Sequence, residues 1–247
     1  QYTESGAFPC KVILSDSNDP GEGEHKIFNY IRANNCQQQQ KVDFVYGLDA
    51  DLILLSLLSK NQQTYLLREN NHFSKLTHFK DHFLLLDIYL LGESIFTEFK
   101  HMLPQTQITK NQAIKDYVML MSFMGNDFIP PLSYMKIKDN GLHTILNKYF
   151  KTVQELNQFL VHDNKLNELF ITKLIQSLSH LENEYMNNVV TQYQQLKPPS
   201  TSLQPGVRVD HYPLWRQRIY KIDPSTKGWR QTYYYELFAS KDDTIVK

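Results

Sequence analysis

The sequence predicts an α/β fold in which a mostly parallel sheet is followed by a mostly helical part. In the first part, short apolar runs alternate with segments of helical periodicity, and this alternation is typical of parallel strands joined through helices. From about residue 93 onward, stretches with helical spacing follow one another instead. We therefore predict two domains, residues 1–92 and residues 93–247.

Strands are predicted for three short runs, each bounded by turn-forming or polar residues. These runs are residues 11–14, 43–46 and 64–67. A fourth run, residues 83–86, is apolar throughout, so its pattern fits a strand and the start of a buried helix equally well.

Helices are predicted where apolar residues recur three and four positions apart. They cover, approximately, residues 22–33, 51–58, 108–124, 141–150 and 166–196. Gly125 is the expected C-terminal cap of the third helix, because glycine readily adopts the left-handed conformation that ends many helices. Residues 197–206 contain three prolines, which predicts a linker or a long loop.

Composition narrows the class of protein. The chain has 26 basic and 26 acidic residues, so its net charge is zero and it has no general electrostatic attraction to nucleic acid. A zero net charge is still compatible with a local basic groove. No apolar run approaches the length of about 18 residues that spans a membrane. Cys10 and Cys36 provide neither a disulfide framework nor a zinc site. The chain starts at Gln1 without a secretory signal, and we expect that it begins within a longer protein or follows processing.

Five acidic residues are concentrated in three short segments at the ends of predicted elements. They are Glu22, Glu24, Asp49, Asp51 and Asp127. Carboxylates at the ends of buried elements are costly unless a positive charge neutralises them. Hard divalent cations do so, and Mg²⁺ binds a few carboxylates together with water and substrate phosphate. The pattern therefore predicts metal-assisted hydrolysis of phosphodiester bonds, with Mg²⁺ or Mn²⁺ as the cofactor.

Each acidic segment also has a purely structural interpretation. Asp51 can cap the helix that follows it, while Asp49 closes a turn. Glu22 and Glu24 open a helix, where the helix dipole stabilises acidic side chains. Asp127 can belong to a capped turn after a glycine and an asparagine. The metal interpretation is favoured because several acidic segments at element ends indicate a shared cation.

Four neighbours of the first acidic segment have their own interpretations. Lys26 is a candidate for contact with substrate phosphate, and a solvated charge on a helix fits it equally well. His25 is expected to make a local hydrogen bond. Gly21 and Gly23 suggest a close approach of the backbone to another group.

Together these segments resemble the XRN family of 5′→3′ exoribonucleases, in both order and spacing. The matching motifs are Lys11-Val12-Ile13-Leu14-Ser15-Asp16-Ser17, Pro20-Gly21-Glu22-Gly23-Glu24-His25-Lys26, Tyr46-Gly47-Leu48-Asp49-Ala50-Asp51-Leu52-Ile53, Leu67-Arg68-Glu69 and Gly125-Asn126-Asp127-Phe128-Ile129-Pro130. Trp229-Arg230 and Tyr233-Tyr234 are similar to a further family segment, more weakly. Several independent motifs in one order make the resemblance specific.

The resemblance implies a PIN/flap-nuclease-like α/β core followed by a helical domain. Residues 1–92 would be the C-terminal part of the family's nuclease domain, and residues 93–247 a part of its helical domain. The five acidic residues above would be catalytic and would bind the metal. The substrate would be RNA with a 5′-monophosphate, degraded to mononucleotides, in RNA decay or processing. Such an enzyme would be intracellular, in the nucleus or the cytoplasm.

Some features of the family have no counterpart in this sequence. They are its first two aspartates, the basic pocket for the 5′-monophosphate and the histidine that stacks on the first base. We therefore expect residues 1–247 by themselves to be inactive, or nearly so. One alternative is a catalytically inactive relative that binds RNA or acts as a scaffold. Another is a flap endonuclease or PIN nuclease, but the motif at residues 20–26 favours the XRN family.

Overall fold

The structure, a computed structural model, describes most of the chain as two compact units. The first unit comprises the described residues up to 122 together with 159–166, and the second comprises those of 123–158 and 167–247. The domain boundary predicted between residues 92 and 93 refers to the domains of the family and not to these compact units. It therefore stays a prediction. The structure describes residues 12–34, 42–59, 63–70, 82–127, 129, 131–132, 135, 137, 140–195 and 226–238. Outside them lie Cys10, Lys11, Cys36, Phe128, Pro130, Leu196 and the predicted linker at 197–206.

The described residues of the first unit form a three-stranded sheet, four helices and a short hairpin. Its elements are α1 (Gly23–Asn34), β1 (Asp43–Tyr46), α2 (Asp51–Leu57), β2 (Thr64–Glu69), β3 (Phe83–Asp87), α3 (Ile88–Met102), α4 (Lys110–Ser122), β4 (Val161–His162) and β5 (Lys165–Leu166). The core contains side chains from α1, the sheet and the following helices, including Phe28, Val45, Leu66, Phe99 and Leu120.

The described part of the sheet is mixed. β1 pairs with β2 in parallel, with Asp43 opposite Thr64. β2 pairs with β3 in antiparallel orientation, with Tyr65 opposite Asp87. The run at 83–86 is therefore a strand, and it continues directly into α3. The α/β class is confirmed. The sheet is predicted to be mostly parallel, but the described strands form one parallel and one antiparallel pair. Local periodicity does not contain the direction of a strand.

The strand predicted for residues 11–14 is not formed by the part of it that the structure describes. Val12, Ile13 and Leu14 lie in irregular structure, and they are 40%, 55% and 73% exposed. A strand is stabilised by a hydrogen-bonded neighbour. No described strand pairs with this segment. The prediction is wrong because an apolar run alone does not supply a pairing partner.

Helix α3 illustrates how local sequence fixes an element. Asp87 has an extended backbone and is the N-cap, and its Oδ1 accepts a hydrogen bond from the backbone N–H of Leu90 at 3.0 Å. The side chains of Ile88, Ile95 and Phe99 recur at helical spacing and are buried. The cap and the apolar stripe together account for the start and the orientation of this helix.

A buried carboxylate joins the hairpin β4–β5 to α4. The side chain of Asp116 is fully buried. It accepts hydrogen bonds from the backbone N–H of Val161 at 2.9 Å, from that of Leu160 at 3.3 Å and from the Gln112 amide at 2.9 Å. These bonds offset the cost of burying the charge. They also explain why residues 159–166 belong to the first unit. The helix that is predicted from residue 166 starts only after the hairpin, at Glu168.

The second unit is helical. It contains α5 (Gly141–Leu156), α6 (Glu168–Gln195) and α7 (Trp229–Phe238). The ring of Tyr149 on α5 packs against that of Phe170 on α6, with centroids 5.5 Å apart, and both side chains are fully buried. Among the described helices of the chain, none is both long enough and apolar enough to cross a membrane.

A second buried carboxylate joins α6 to α7. Glu182 on α6 is 6% exposed. It accepts hydrogen bonds from Arg230 Nε at 3.1 Å and from the Tyr234 hydroxyl at 3.0 Å. Both donors belong to the aromatic and basic segment near the end of the chain. In this structure they therefore hold α7 against α6.

Candidate active site

The loop before α1 is held together by hydrogen bonds. Asp16 Oδ1 accepts from the backbone N–H of Asn18 at 2.9 Å, and the Ser15 hydroxyl donates to Asp19 Oδ2 at 2.9 Å. Lys26, in the first turns of α1, donates its ammonium hydrogens to the backbone carbonyl of Asp16 at 3.0 Å and to that of Asp19. The loop is therefore tied back to the start of α1.

Lys26 thus has a structural role in this loop. An ammonium group carries three hydrogen-bond donors, and at least two of them are directed at the two carbonyl groups. Its contact with substrate phosphate stays a prediction.

Gly21 has φ +103°, a conformation that favours glycine, whereas a Cβ on Gly23 would meet nothing within 4 Å. Among the described residues nothing approaches the backbone closely at Gly23, and the approach of another group there stays a prediction.

The second acidic segment connects β1 to α2. Gly47 extends the strand ladder by donating its N–H to the carbonyl of Leu67 at 3.1 Å, and a Cβ at this position would overlap the side chain of Leu52. Asp49 Oδ1 accepts from the backbone N–H of Asp51 at 3.0 Å, so Asp49 closes the turn into α2. Asp51 is the first residue of that helix rather than its cap. Asp49 therefore has a structural role as well as being a candidate ligand.

Glu24 lies within electrostatic range of three other carboxylates of the first unit. The pKa of Glu24 is raised above its usual value, first by burial and then by the negative charges of Asp49 and Asp51, with a smaller contribution from Glu22. Protonated His25 acts in the opposite direction. A cation among these carboxylates would relieve the repulsion and would lower the pKa of Glu24. Two of the predicted acidic segments therefore lie within electrostatic range of one another.

The donor chemistry fits a hard divalent cation. Carboxylate oxygens are the ligands that Mg²⁺ accepts most readily, and water completes its coordination. Within the described residues, however, no three His, Cys, Asp or Glu side chains are arranged so that they could hold a metal ion. The first two acidic segments are thus within electrostatic range of one another without being in ligand geometry, and their assignment to a metal stays a prediction.

The third acidic segment lies in the second unit, after α4. Gly125 has φ +81°, and a Cβ here would lie 2.6 Å from the backbone nitrogen of Pro131, so the loop requires glycine. Asn126 closes the loop, because its Oδ1 accepts from the N–H of Ile129 at 2.8 Å. Asp127 is exposed in this loop. Its convergence with the other acidic residues on one cation stays a prediction.

Two family models match this chain. The model described as "XRN 5'-3' exonuclease N-terminus" matches residues 2–70, which include the first two acidic segments. The model described as "Xrn1 helical domain" matches residues 107–209, which include Asp127. The two models are successive parts of one family, and they match in the same order here.

Curated relatives agree with the family models. The 5′-3′ exoribonuclease 2 of Yarrowia lipolytica is 34% identical over 67% of this chain and 17% of its own length. The protein of the same name from Kluyveromyces lactis is 28% identical over 90% of this chain and 26% of its own length. The 5′-3′ exoribonuclease 1 of Schizosaccharomyces pombe is 31% identical over 74% of this chain. The chain therefore spans about a quarter or less of the length of these relatives.

Proposed function

This chain belongs to the XRN family of 5′→3′ exoribonucleases, and we propose that it is the central part of the catalytic region of a metal-dependent enzyme that degrades RNA from its 5′ end. The substrate would be RNA with a 5′-monophosphate, and the products would be 5′-mononucleotides. The observation that carries the proposal is the match of residues 2–70 to the nuclease model, which includes Glu22 and Glu24 around the start of α1 and Asp49 and Asp51 around the start of α2.

The acidic residues would bind Mg²⁺ or Mn²⁺. A bound cation supplies activation of a water molecule and stabilisation of the charge that develops on the phosphate. Glu22, Glu24, Asp49 and Asp51 would hold it. Asp127 is included in the proposal on the strength of its sequence motif alone.

The surrounding residues would orient these carboxylates. The hydrogen bonds of Lys26 fix the loop that leads into Glu22 and Glu24 at the start of α1. The turn closed by Asp49 places Asp51 at the first position of α2, where the helix dipole favours a negative charge. Both acidic segments are therefore presented by helix N-termini.

The proposal also covers the fold of the whole domain and the cellular location of the enzyme. We infer a PIN/flap-nuclease-like core in which the described mixed sheet is part of a larger, mostly parallel one. We also infer an intracellular location, in the nucleus or the cytoplasm, because the proposed substrate is an intermediate of RNA decay or processing.

The test is Asp51→Asn in the full-length product of the gene. Asparagine keeps the size of the side chain and removes its charge, so we expect the rate of RNA degradation to fall by about 100-fold or more while RNA binding is retained. The measurement is the release of mononucleotides from 5′-monophosphorylated RNA in Mg²⁺, with RNA affinity measured in EDTA. Asp163→Asn is the matched control, because this exposed residue of the β4–β5 turn has φ 47°, which asparagine also adopts.

Two outcomes would contradict the proposal. A rate for Asp51→Asn within about tenfold of the wild type, a barrier change of only about 1.4 kcal/mol, would exclude an essential ligand at this position. RNA binding without any degradation by the wild-type protein would favour the alternative of an inactive relative that binds RNA.

A further inference from the structure

A groove in the first unit lies at the end of α2 opposite Asp51, the first residue of that helix. Seven residues of helix place this end roughly 9 Å from the acidic end. The groove has a volume of about 680 Å³, which is within the usual range for small-molecule sites. Its polar lining comes from α2, α3, α4 and the hairpin turn, and consists of Ser56, Ser59, Tyr89, Lys110, Asn111, Lys115 and Asn164.

The hydroxyl group of Ser56 is buried and has no hydrogen-bond partner among the described residues. The side chain is fully buried yet lines the groove. A serine within a helix commonly bonds to the carbonyl one turn earlier, and Ser56 does not. Because an unpaired buried hydroxyl destabilises the fold, a hydrogen bond from a ligand in the groove to Ser56 would stabilise the protein.

The charge in the groove is positive. Lys110 pairs with Glu93 at 2.7 Å and lies 4.0 Å from the centroid of the Tyr89 ring, so its charge is compensated. This hydrogen bond is also the main reason why the pKa of Glu93 is lowered. Lys115 donates to Asn164 Oδ1 at 2.8 Å, and that partner is a neutral amide. Lys115 therefore brings a positive charge that this contact does not neutralise.

Two residues at the start of α4, Lys110 and Asn111, line the same groove. Thr109 Oγ1 accepts from the backbone N–H of Gln112 at 3.2 Å, which caps this thirteen-residue helix. The N–H groups of the first turn, including those of Lys110 and Asn111, have no carbonyl partner within the helix. Together with the helix dipole, they favour an anion.

We propose that this groove binds the phosphate group of a nucleotide. Lys115 and the first turn of α4 would contact the phosphate oxygens, and the Ser56 hydroxyl would bond to the ligand. The exposed ring of Tyr89 gives apolar surface for a base or sugar, beside the buried side chains of Ile88 and Ile114 that also line the groove. The nucleotide can be free or part of an RNA strand, since both present the same group. This binding does not involve the acidic residues of the proposed active site.

The test is titration of the purified chain in EDTA, where divalent cations cannot contribute. The ligands are inorganic phosphate, 5′-AMP and a short oligouridylate, and amide chemical shifts are followed by NMR. We expect shifts at Ser59, Asn111 and Asn164, and about a tenfold weaker affinity for Lys115→Gln. Lys151→Gln, an exposed position on α5 in the second unit, is the matched control and should bind as the wild type does.

Ser56→Ala provides a second variant that is expected to fold well. Removing an unpaired buried hydroxyl should raise the melting temperature of the free protein, while affinity falls about threefold.

Shifts with 5′-AMP would identify a free nucleotide, and shifts with the oligouridylate alone would identify an RNA strand; both support the proposal. No shifts up to about 10 mM ligand, or an unchanged affinity in Lys115→Gln, would overturn it. Because no turnover is measured, failure here would leave the proposed RNA degradation unaffected.

Discussion

Glu24 is the residue whose ionisation reports most directly on the acidic segments. Its pKa is raised, so the folded protein holds this proton more tightly than the unfolded chain. The contribution of Glu24 to stability is therefore complete below its ordinary pKa and is lost as pH rises through the raised pKa. At neutral pH the ionised side chain opposes folding in the absence of a cation.

We predict that Glu24→Gln raises the melting temperature in EDTA at pH 7 by about 1–2 °C. The gain should disappear below about pH 4, where the wild-type carboxyl is itself protonated. The measurement is thermal unfolding by circular dichroism across this pH range. Glu98→Gln, an exposed position on α3, is the control. Equal effects of the two substitutions at every pH would show that repulsion at Glu24 is negligible.

Individual residues differ in how far sequence predicts their role. Gly125 has the positive φ expected of a glycine that ends a helix, but α4 ends at Ser122, so Gly125 lies three residues beyond the helix and is not its immediate cap. The burial of Asp116 and Glu182 is not predicted, since their partners Val161 and Arg230 lie 45 and 48 residues further along the chain. An acidic residue on a helix is buried only when the tertiary fold brings such partners to it.

Helices and strands are both predicted with mixed accuracy, because the strands predicted at 43–46 and 64–67 correspond to β1 and β2, whereas α3 is not predicted from the sequence. The prediction of residues 22–33 corresponds to α1, and that of 108–124 to α4, each within two residues at either end. Their apolar spacing is a local property of the sequence. The strand at 11–14 is wrong, and the hairpin at 161–166 is missed, because a strand depends on a partner elsewhere in the chain.

The attachment of α7 to α6 gives a prediction for a single element. We expect Arg230→Met to lower the free energy of unfolding by about 1–2 kcal/mol, because it leaves the buried Glu182 carboxylate with one hydrogen bond fewer. Urea unfolding measures this change. Lys173→Met is the control, since its ion pair with Glu155 joins two partly exposed side chains and should contribute about 0.5 kcal/mol or less. Equal losses in the two variants would contradict a special role for Glu182.

For the molecule as a whole, sequence predicts the class of fold, whereas the five site residues stay a prediction. The α/β part and the helical part are both present, and the five acidic residues lie in the two segments that family models match. What sequence does not contain is the double role of Asp49, which closes a turn as well as carrying charge. A motif identifies residue types at a spacing, whereas the hydrogen bonds that hold them arise only from the folded backbone.

The central claim is that the acidic segments of the first unit bind a divalent cation, and Mn²⁺ titration followed by NMR tests it most directly. Asp49→Asn separates the two roles of this residue, because the asparagine oxygen can still accept from the N–H of Asp51 while the charge is lost. We predict selective paramagnetic broadening of the amides of Glu24 and Asp51 in the wild type and in Asp163→Asn, and its loss in Asp49→Asn. Broadening that is absent from the wild type, or unchanged in Asp49→Asn, would contradict the claim.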